Sequence, residues 1–302
     1  MNKVTLAHWI SAMRLRTLPL SLSGIILASC FAEYNGYFNW TIFILSILTT
    51  LSFQILSNLA NDYGDGIKGT DNEDRIGPNR AVQSGAISSD AMFGAIKTSI
   101  LVSIILAFTL IFVSFGVRHF LLTIIFFLLG IASVVSAIRY TVGSNPYGYK
   151  TKGDIFVFVF FGLVSVVGGY VLYAKQIDHV VIFPALIIGL LSAAVLNLNN
   201  MRDIESDRKS DKITLAVKLG FEKIKIYHLF LIGSAIILSL VFGILYFVSL
   251  YNFLFVIAFV PLVLHFLRVY GIKDPKAFDP ELKKLALTTF LLSILMGIGY
   301  LL

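Results

Sequence analysis

The chain has 302 residues, 57% of them hydrophobic and only 14% charged, with a mean hydropathy of +0.87. A soluble domain of this length needs far more charge to cover its surface, so the composition excludes that class and indicates a polytopic membrane protein. A single cysteine, Cys30, excludes an intramolecular disulfide and a cysteine-based zinc site. A net charge of +7 in so apolar a chain points to cytoplasmic loops and anionic membrane lipid, with no role for nucleic acid.

A membrane-crossing helix needs about 20 mostly apolar residues. Runs of this kind lie at 17–34, 39–60, 91–115, 119–139, 154–174, 180–200, 228–249, 252–270 and 285–302. They predict an all-α bundle of about nine transmembrane helices in one domain covering 1–302. Leu27-Ala28-Ser29-Cys30 has the form of a lipoprotein processing site, but a chain that re-enters the membrane so often reads better as having an ordinary first spanning helix there. Pro261 and His265 interrupt the eighth run. With the N-terminus inside, 21 of the 24 Lys and Arg residues fall in the N-terminal segment and the even-numbered loops. Arg118 and Lys175 fall outside, and Lys97 lies within the third run. This asymmetry predicts a cytoplasmic N-terminus and puts every polar cluster on the cytoplasmic side of the membrane.

The first cluster, "NLANDYGDGIKGTDNEDR" at 58–75, follows the second run and holds five of the chain's 17 acidic residues. Asn58, Asp62 and Asp65 are spaced i, i+4, i+7, and Asn61 with Asp65 is a second i, i+4 pair, so each set shares a helix face. Gly66 and Gly69 then release a loop that can bring Asp71 back. The second cluster, "NLNNMRDIESDRKSD" at 197–211, ends the sixth run. On a continuous helix Asp203, Asp207 and Asp211 drift by only about 40° per step, with Asn199 on the same stripe. The clusters sit four spans apart, giving a loose internal repeat with polar motifs at 58–85 and 197–220.

Like charges stacked at i, i+4 repel. A hard divalent cation relieves that repulsion, and Mg²⁺ suits a few carboxylates with water or phosphate completing its shell. Bases lie beside the acids: Lys68, Arg75 and Arg80 after the first cluster, and Arg202, Arg208 and Lys212 within the second. Carboxylates alone would suit a cation store or pathway. Carboxylates interleaved with Arg and Lys suit a diphosphate held by metal and base together. The plain alternative is a pair of interfacial loops whose acids offset bases placed by topology. A third polar stretch, "YTVGSNPYGYKTKGD" at 140–154, is a loop by its Gly and Pro content. Tyr140, Tyr147 and Tyr149 can face a carbocation or an aromatic ring, and Lys150 and Lys152 can reach a phosphate or an acidic acceptor. An aromatic belt with its usual lysines accounts for the same residues. The five histidines are scattered, with no pair at metal-ligand spacing on one helix, and read as interfacial or packing residues.

The segments "NDYGDGIKGTDNEDRIGPNRAVQSG" (61–85), "YTVGSNPYGYKTKGDI" (140–155) and "NNMRDIESDRKSDKITLAVKLG" (199–220), in this order, resemble the UbiA superfamily of intramembrane aromatic prenyltransferases over essentially the whole chain. The "KG-x-D" followed by "DRIGP-x-RA" is similar to its naphthoate branch. The hydroxybenzoate branch more often carries its last Asp two positions earlier, where this chain has Gly69. The resemblance implies a nine-span fold in a bacterial inner membrane. It implies transfer of a polyprenyl group from polyprenyl diphosphate to 1,4-dihydroxy-2-naphthoate, with loss of CO₂, in the synthesis of demethylmenaquinol. It places Asn61, Asp65 and Asp71, with Asp62 beside them, on a first metal motif. Asp203 and Asp207 fall on a second, with Asp211 at its less constant third position, and two Mg²⁺ ions would bridge these faces through the diphosphate. Asp65, Asp71, Asp203, Asp207, Lys68 and Arg75 are then the candidate catalytic residues. Asn61, Arg80, Tyr140, Lys150, Lys152, Asn199, Arg208 and Lys212 are the candidate substrate contacts. Two other readings stay open: the same enzyme class with 4-hydroxybenzoate or homogentisate as acceptor, and a cation transporter. A transporter places its ionisable residues near mid-membrane, whereas these lie at span ends.

Overall fold

The computed structural model describes residues 4–70 and 76–302. Among them, nine helices are long and apolar enough to cross a bilayer. They are Leu6–Tyr34, Trp40–Ile67, Ser89–Phe115, Phe120–Arg139, Gly153–Ala174, His179–Arg202, Phe221–Leu245, Leu250–Gly271 and Pro275–Leu301, spans one to nine. Each predicted run falls within or overlaps one of them, and the extended pairing among the described residues is a single bridge between Lys150 and Ile213.

The helices outrun the apolar segments at the ends that carry the polar motifs. Span two continues to Ile67, so Asn61, Asp62 and Asp65 all lie on regular helix. Gly69, at φ 69°, turns the chain out of it. Hydropathy marks only the stretch that tolerates lipid, while backbone hydrogen bonding continues into the polar interface wherever side chains there find partners. Span one begins early for the same reason but is broken. Helix Leu6–Met13 stops at Arg14, which is left-handed at φ 51° and ψ 55°, and a new helix starts at Leu18 with Pro19 in its first turn. Asn58 of span two holds the break, donating to the Met13 carbonyl at 2.9 Å and to Thr17 Oγ1 at 3.2 Å.

Span six is the axis of the bundle, packed by spans five, seven and nine, while span nine also packs against spans one and eight. Span four forms the outer wall: only 6% of its apolar stretch is buried within the protein, against 61% for span six. The exposed Phe120, Leu121 and Leu128 of span four are the surface expected where the solvent is hydrocarbon. Span five lies very close to span six, because Gly162 faces Gly189 and a Cβ at either position would strike the other helix. Over Phe158–Gly168 span five widens from α- to π-helical hydrogen bonding.

The histidines are not all scattered in space. His228 of span seven and His265 of span eight meet with Nε2 atoms 2.9 Å apart, and both are buried.

Candidate active site

The C-terminal ends of spans two and six and the N-terminal ends of spans one and nine surround a cavity of about 690 Å³. Its polar mouth holds Asn61, Asp65, Asn199, Asp203, Asp207 and Lys212, all anticipated from the sequence. Its depth is mainly apolar, with the hydroxyls of Ser46, Thr49, Ser165 and Ser192 in the lining. Phe156, Phe160, Val164, Gly168 and Leu172 of span five form a row along one wall. In an α-helix a step of four residues overshoots a full turn by about 40°, so a row of five would wind away from the cavity. The π-helical turns take up that drift and keep the row facing inward.

Asp65 is 5% exposed and accepts a hydrogen bond from the Tyr149 hydroxyl at 2.9 Å. That hydroxyl also bonds Thr70 Oγ1. Asp207 is 3% exposed, Lys212 8%, and their Oδ1 and Nζ lie 3.3 Å apart. Burial pushes the Asp207 carboxyl up to about 6; Lys212 opposes that rise and the neighbouring Asp203 adds to it. Burial by itself would depress the Lys212 ammonium, but Asp65 and Asp207 together hold it well above the ordinary lysine range. Asp207 Oδ2 is buried with no hydrogen-bond partner, an acceptor that the protein leaves unsatisfied at a cost of about 1–3 kcal/mol. The Lys212 ammonium also lies 5.5 Å from the centre of the Tyr149 ring. Burial pushes the Tyr140 phenol upward, with Lys212 opposing, so the ring faces the cavity as a neutral donor.

Several anticipated residues are placed otherwise. Asp62, 1% exposed, accepts from the backbone N–H groups of Ala81 and Val82, each at 3.0 Å, one on each carboxylate oxygen. Each oxygen thus anchors the loop before span three, a structural role that the spacing of the motif does not indicate. Asp211 leaves the predicted stripe. Span six ends at Arg202, a short helix occupies Ile204–Lys209, and Asp211 is exposed with φ 53°. The i, i+8 argument needed an unbroken helix. Arg208 points outward, 3.5 Å from Glu205. Lys150 and Lys152 are exposed and do not line the cavity. Lys68 is also exposed and straps the loop after span four to span two, donating to the Thr141 carbonyl at 2.8 Å with its ammonium 4.6 Å from the centre of the Tyr149 ring. Arg80 lines the cavity mouth as expected. Asp71 and Arg75 lie outside the described residues.

Sequence reasoning missed four contributors. Tyr149, noted only as one aromatic among three, touches Asp65 directly. Arg202, counted only as one of the bases in its motif, is 2% exposed and forks onto Asp203. Asp279 and Lys283 line the mouth from span nine, which carries no motif. Asp279 precedes a proline at a helix start and reads as ordinary end chemistry. Among the described residues, no three His, Cys, Asp or Glu side chains converge closely enough to enclose a bare metal ion.

Residues 22–297 match the model of the UbiA prenyltransferase family. The chain belongs to this family. It is 42% identical to a 1,4-dihydroxy-2-naphthoate octaprenyltransferase of Haemophilus influenzae over 98% of this chain and 96% of that one. It is 39% identical to the Escherichia coli protein of the same name, over 96% and 94%. Among solved structures, a UbiA homologue from Archaeoglobus fulgidus bound to DMAPP and Mg²⁺ superposes with a TM-score of 0.59 at 14% identity, covering 94% of this chain and 99% of that one. A UbiA homologue from Aeropyrum pernix K1 gives 0.61 at 17% identity, covering 99% and 98%. The nine-span bundle is thus the fold of the family.

Proposed function

We propose that this prenyltransferase moves a polyprenyl group from a polyprenyl diphosphate to 1,4-dihydroxy-2-naphthoate, with loss of CO₂, in a bacterial inner membrane and with the mouth of the cavity facing the cytoplasm. The observation that carries the reading is the juxtaposition at that mouth. The Asp65 turn of span two and the Asp203–Asp207 turn after span six face one cavity with Lys212 between them, and a long, mainly apolar depth lies behind. The near-full-length identity to relatives with that named activity, and the "KG-x-D" with "DRIGP-x-RA" run, support the choice of acceptor. The distribution of Lys and Arg supports the orientation.

The residues present fit Mg²⁺. This ion typically takes one or two carboxylates and completes its shell with water and phosphate oxygens, so the lack of a closed ligand cage among the described residues agrees with a site shared with a diphosphate. Asp65, Asp203 and Asp207, with Asn61, would hold it, and the unpartnered Asp207 Oδ2 is an acceptor waiting for a cation. When bound, the ion supplies Lewis-acid neutralisation of the leaving diphosphate.

Lys212 and Arg80 put positive charge where the C–O bond to diphosphate breaks. Tyr147 stacks on Phe156 with ring centres 3.9 Å apart, and Phe160 continues the series. Their π faces, with Tyr140, can stabilise an allylic cation, while the apolar walls keep water from capturing it. The new C–C bond forms between the allylic carbon and the ring carbon bearing the carboxylate. The electron pair of the departing carboxylate restores the aromatic ring, and CO₂ leaves.

The test is purified protein with Mg²⁺, a polyprenyl diphosphate and acceptor labelled in its carboxyl carbon. One labelled CO₂ per prenylated product is expected. Product that retains the label excludes naphthoate decarboxylation, and transfer only to 4-hydroxybenzoate or homogentisate reassigns the acceptor.

A further inference from the structure

The Arg202 guanidinium is almost completely buried, yet it does not reach free into the cavity. Its Nε and Nη2 donate to the two carboxylate oxygens of Asp203 at 2.9 and 2.7 Å, Nη2 also donates to Asn199 Oδ1 at 2.9 Å, and Nη1 donates to Asp279 Oδ1 at 2.6 Å. The planar fork thus fixes the orientation of Asp203 in two directions at once. Asp279 is the first residue of the long helix of span nine, and its side chain is 41% exposed. The turn that carries it is fixed from the other side as well. Glu281, 3% exposed, takes His265 Nδ1 at 2.7 Å, Lys284 Nζ at 2.6 Å and Arg268 Nη1 at 3.1 Å. Behind it, His228 meets His265. Asp279 therefore sits on a rigid turn with its carboxylate held against Arg202.

The charges give this arrangement a consequence. If Arg202 faced Asp203 alone, one cation would neutralise one carboxylate, and Asp203 would have little attraction left for a divalent ion. Arg202 is shared with Asp279, so its single positive charge is divided between two carboxylates while its fork keeps Asp203 oriented. We propose that Arg202 and Asp279 are positioning residues for the divalent cation: Arg202 aims Asp203 at the cavity, and Asp279, from a span that carries no metal motif, keeps Asp203 negative enough to take part in cation binding. The inference rests on the reading of the site given under Proposed function. It makes the first turn of span nine a working part of the site.

The experiment measures Mn²⁺ binding to the purified, metal-stripped protein in detergent by loss of the free-ion paramagnetic resonance signal, with inorganic diphosphate as the donor head group. In parallel it measures the Mg²⁺ dependence of prenyl transfer. Asp279→Asn keeps the shape and removes the charge at a partly exposed position. It is expected to weaken Mn²⁺ binding and to raise the Mg²⁺ concentration for half-maximal rate by about tenfold, as removal of an outer partner of a metal ligand does, with the KM for the acceptor unmoved. Asp279→Glu is expected to recover most of the Mn²⁺ affinity. Arg202→Lys, which cannot fork, is expected to lose affinity by more. A purely structural tie would instead lower thermal stability and move acceptor KM and metal dependence together. If wild type and Asp279→Asn bind Mn²⁺ equally, the positioning role is wrong while the assigned chemistry stands. If wild type itself binds no Mn²⁺ with diphosphate, both fail.

Discussion

The Tyr149 hydroxyl lies 2.9 Å from Asp65 Oδ1 and joins the loop after span four to the end of span two. Those residues are 84 positions apart in the chain. The same tyrosine ring has the Lys68 ammonium 4.6 Å and the Lys212 ammonium 5.5 Å from its centre, and the carbonyl of Tyr149 accepts from the backbone N–H of Ile213 at 3.2 Å. One side chain thus gathers the first acidic motif, the middle loop and the segment after the second motif.

Replacing Tyr149 by Phe keeps the ring and removes the donor to Asp65. Turnover should fall by about tenfold, the effect of one charge-assisted hydrogen bond. The protein should still purify as a folded bundle, because the cation–ring contacts remain. Initial rates at saturating donor and acceptor check this, and a rate within twofold of wild type would show that Asp65 needs no orientation from the loop.

Asp207 gives a pH prediction with a definite sign. Its carboxyl is raised to about 6 from an ordinary value of 3.8, so the metal-free folded protein binds that proton more tightly than the unfolded chain does. The contribution of Asp207 to the stability of the metal-free protein should therefore be greatest below about pH 4, decline as pH rises through the interval from 4 to 6, and then level off, a slope that Asp207→Asn should remove. Activity should run the other way at limiting Mg²⁺, falling on the acid side with a midpoint near 6, since the cation needs the carboxylate. Saturating Mg²⁺ should move that midpoint lower by competing with the proton. Thermal unfolding and rate profiles in detergent test both limbs. An acid limb unchanged between low and high Mg²⁺ would detach Asp207 from the cation.

Asp62 separates anchoring from metal binding. Asp62→Ala removes the acceptor of two backbone N–H groups and should destabilise the protein by about 2–3 kcal/mol. It should also speed protease cleavage around residues 79–85. The concentration of Mg²⁺ for half-maximal rate should change less than it does in Asp65→Ala. A larger shift in Asp62→Ala would return this residue to the metal site.

The bases divide by location. Lys212→Met strands Asp207 and Asp65 as buried charges and should cost about 3–5 kcal/mol in stability, donor use or both. Arg208→Gln, Lys150→Gln and Lys152→Gln change exposed groups outside the cavity. Each should stay within about twofold of wild type in donor KM, as exposed charges generally do. A large loss of donor affinity in any of the three would mean that the diphosphate extends beyond the described cavity.

The sequence by itself determined the membrane class, the number of spans, the family resemblance and the residues at the heart of the mouth. Each of these depends on signals that are local along the chain. Twenty apolar residues are needed to cross hydrocarbon wherever they pack, and Asn61 with Asp65 share a face because a helix repeats every 3.6 residues. Local periodicity failed where the helix did not continue. The stripe that spacing extends to Asp211 ends at Arg202, and Asp62 shares a motif with Asn61 and Asp65 while its carboxylate turns to Ala81 and Val82. Only the tertiary structure decided which charges are working partners, because a charge on a span end is defined by what the other spans bring beside it. Arg208 and Arg202 look alike as letters, yet one is exposed beside Glu205 and the other is buried between Asp203 and Asp279. His228 and His265 are 37 positions apart on different helices and meet in the interior. Asp279 carries no sequence signal because its partner lies 77 residues away, and the packing of span nine on span six, driven by the fit of two apolar faces, is what brings them together.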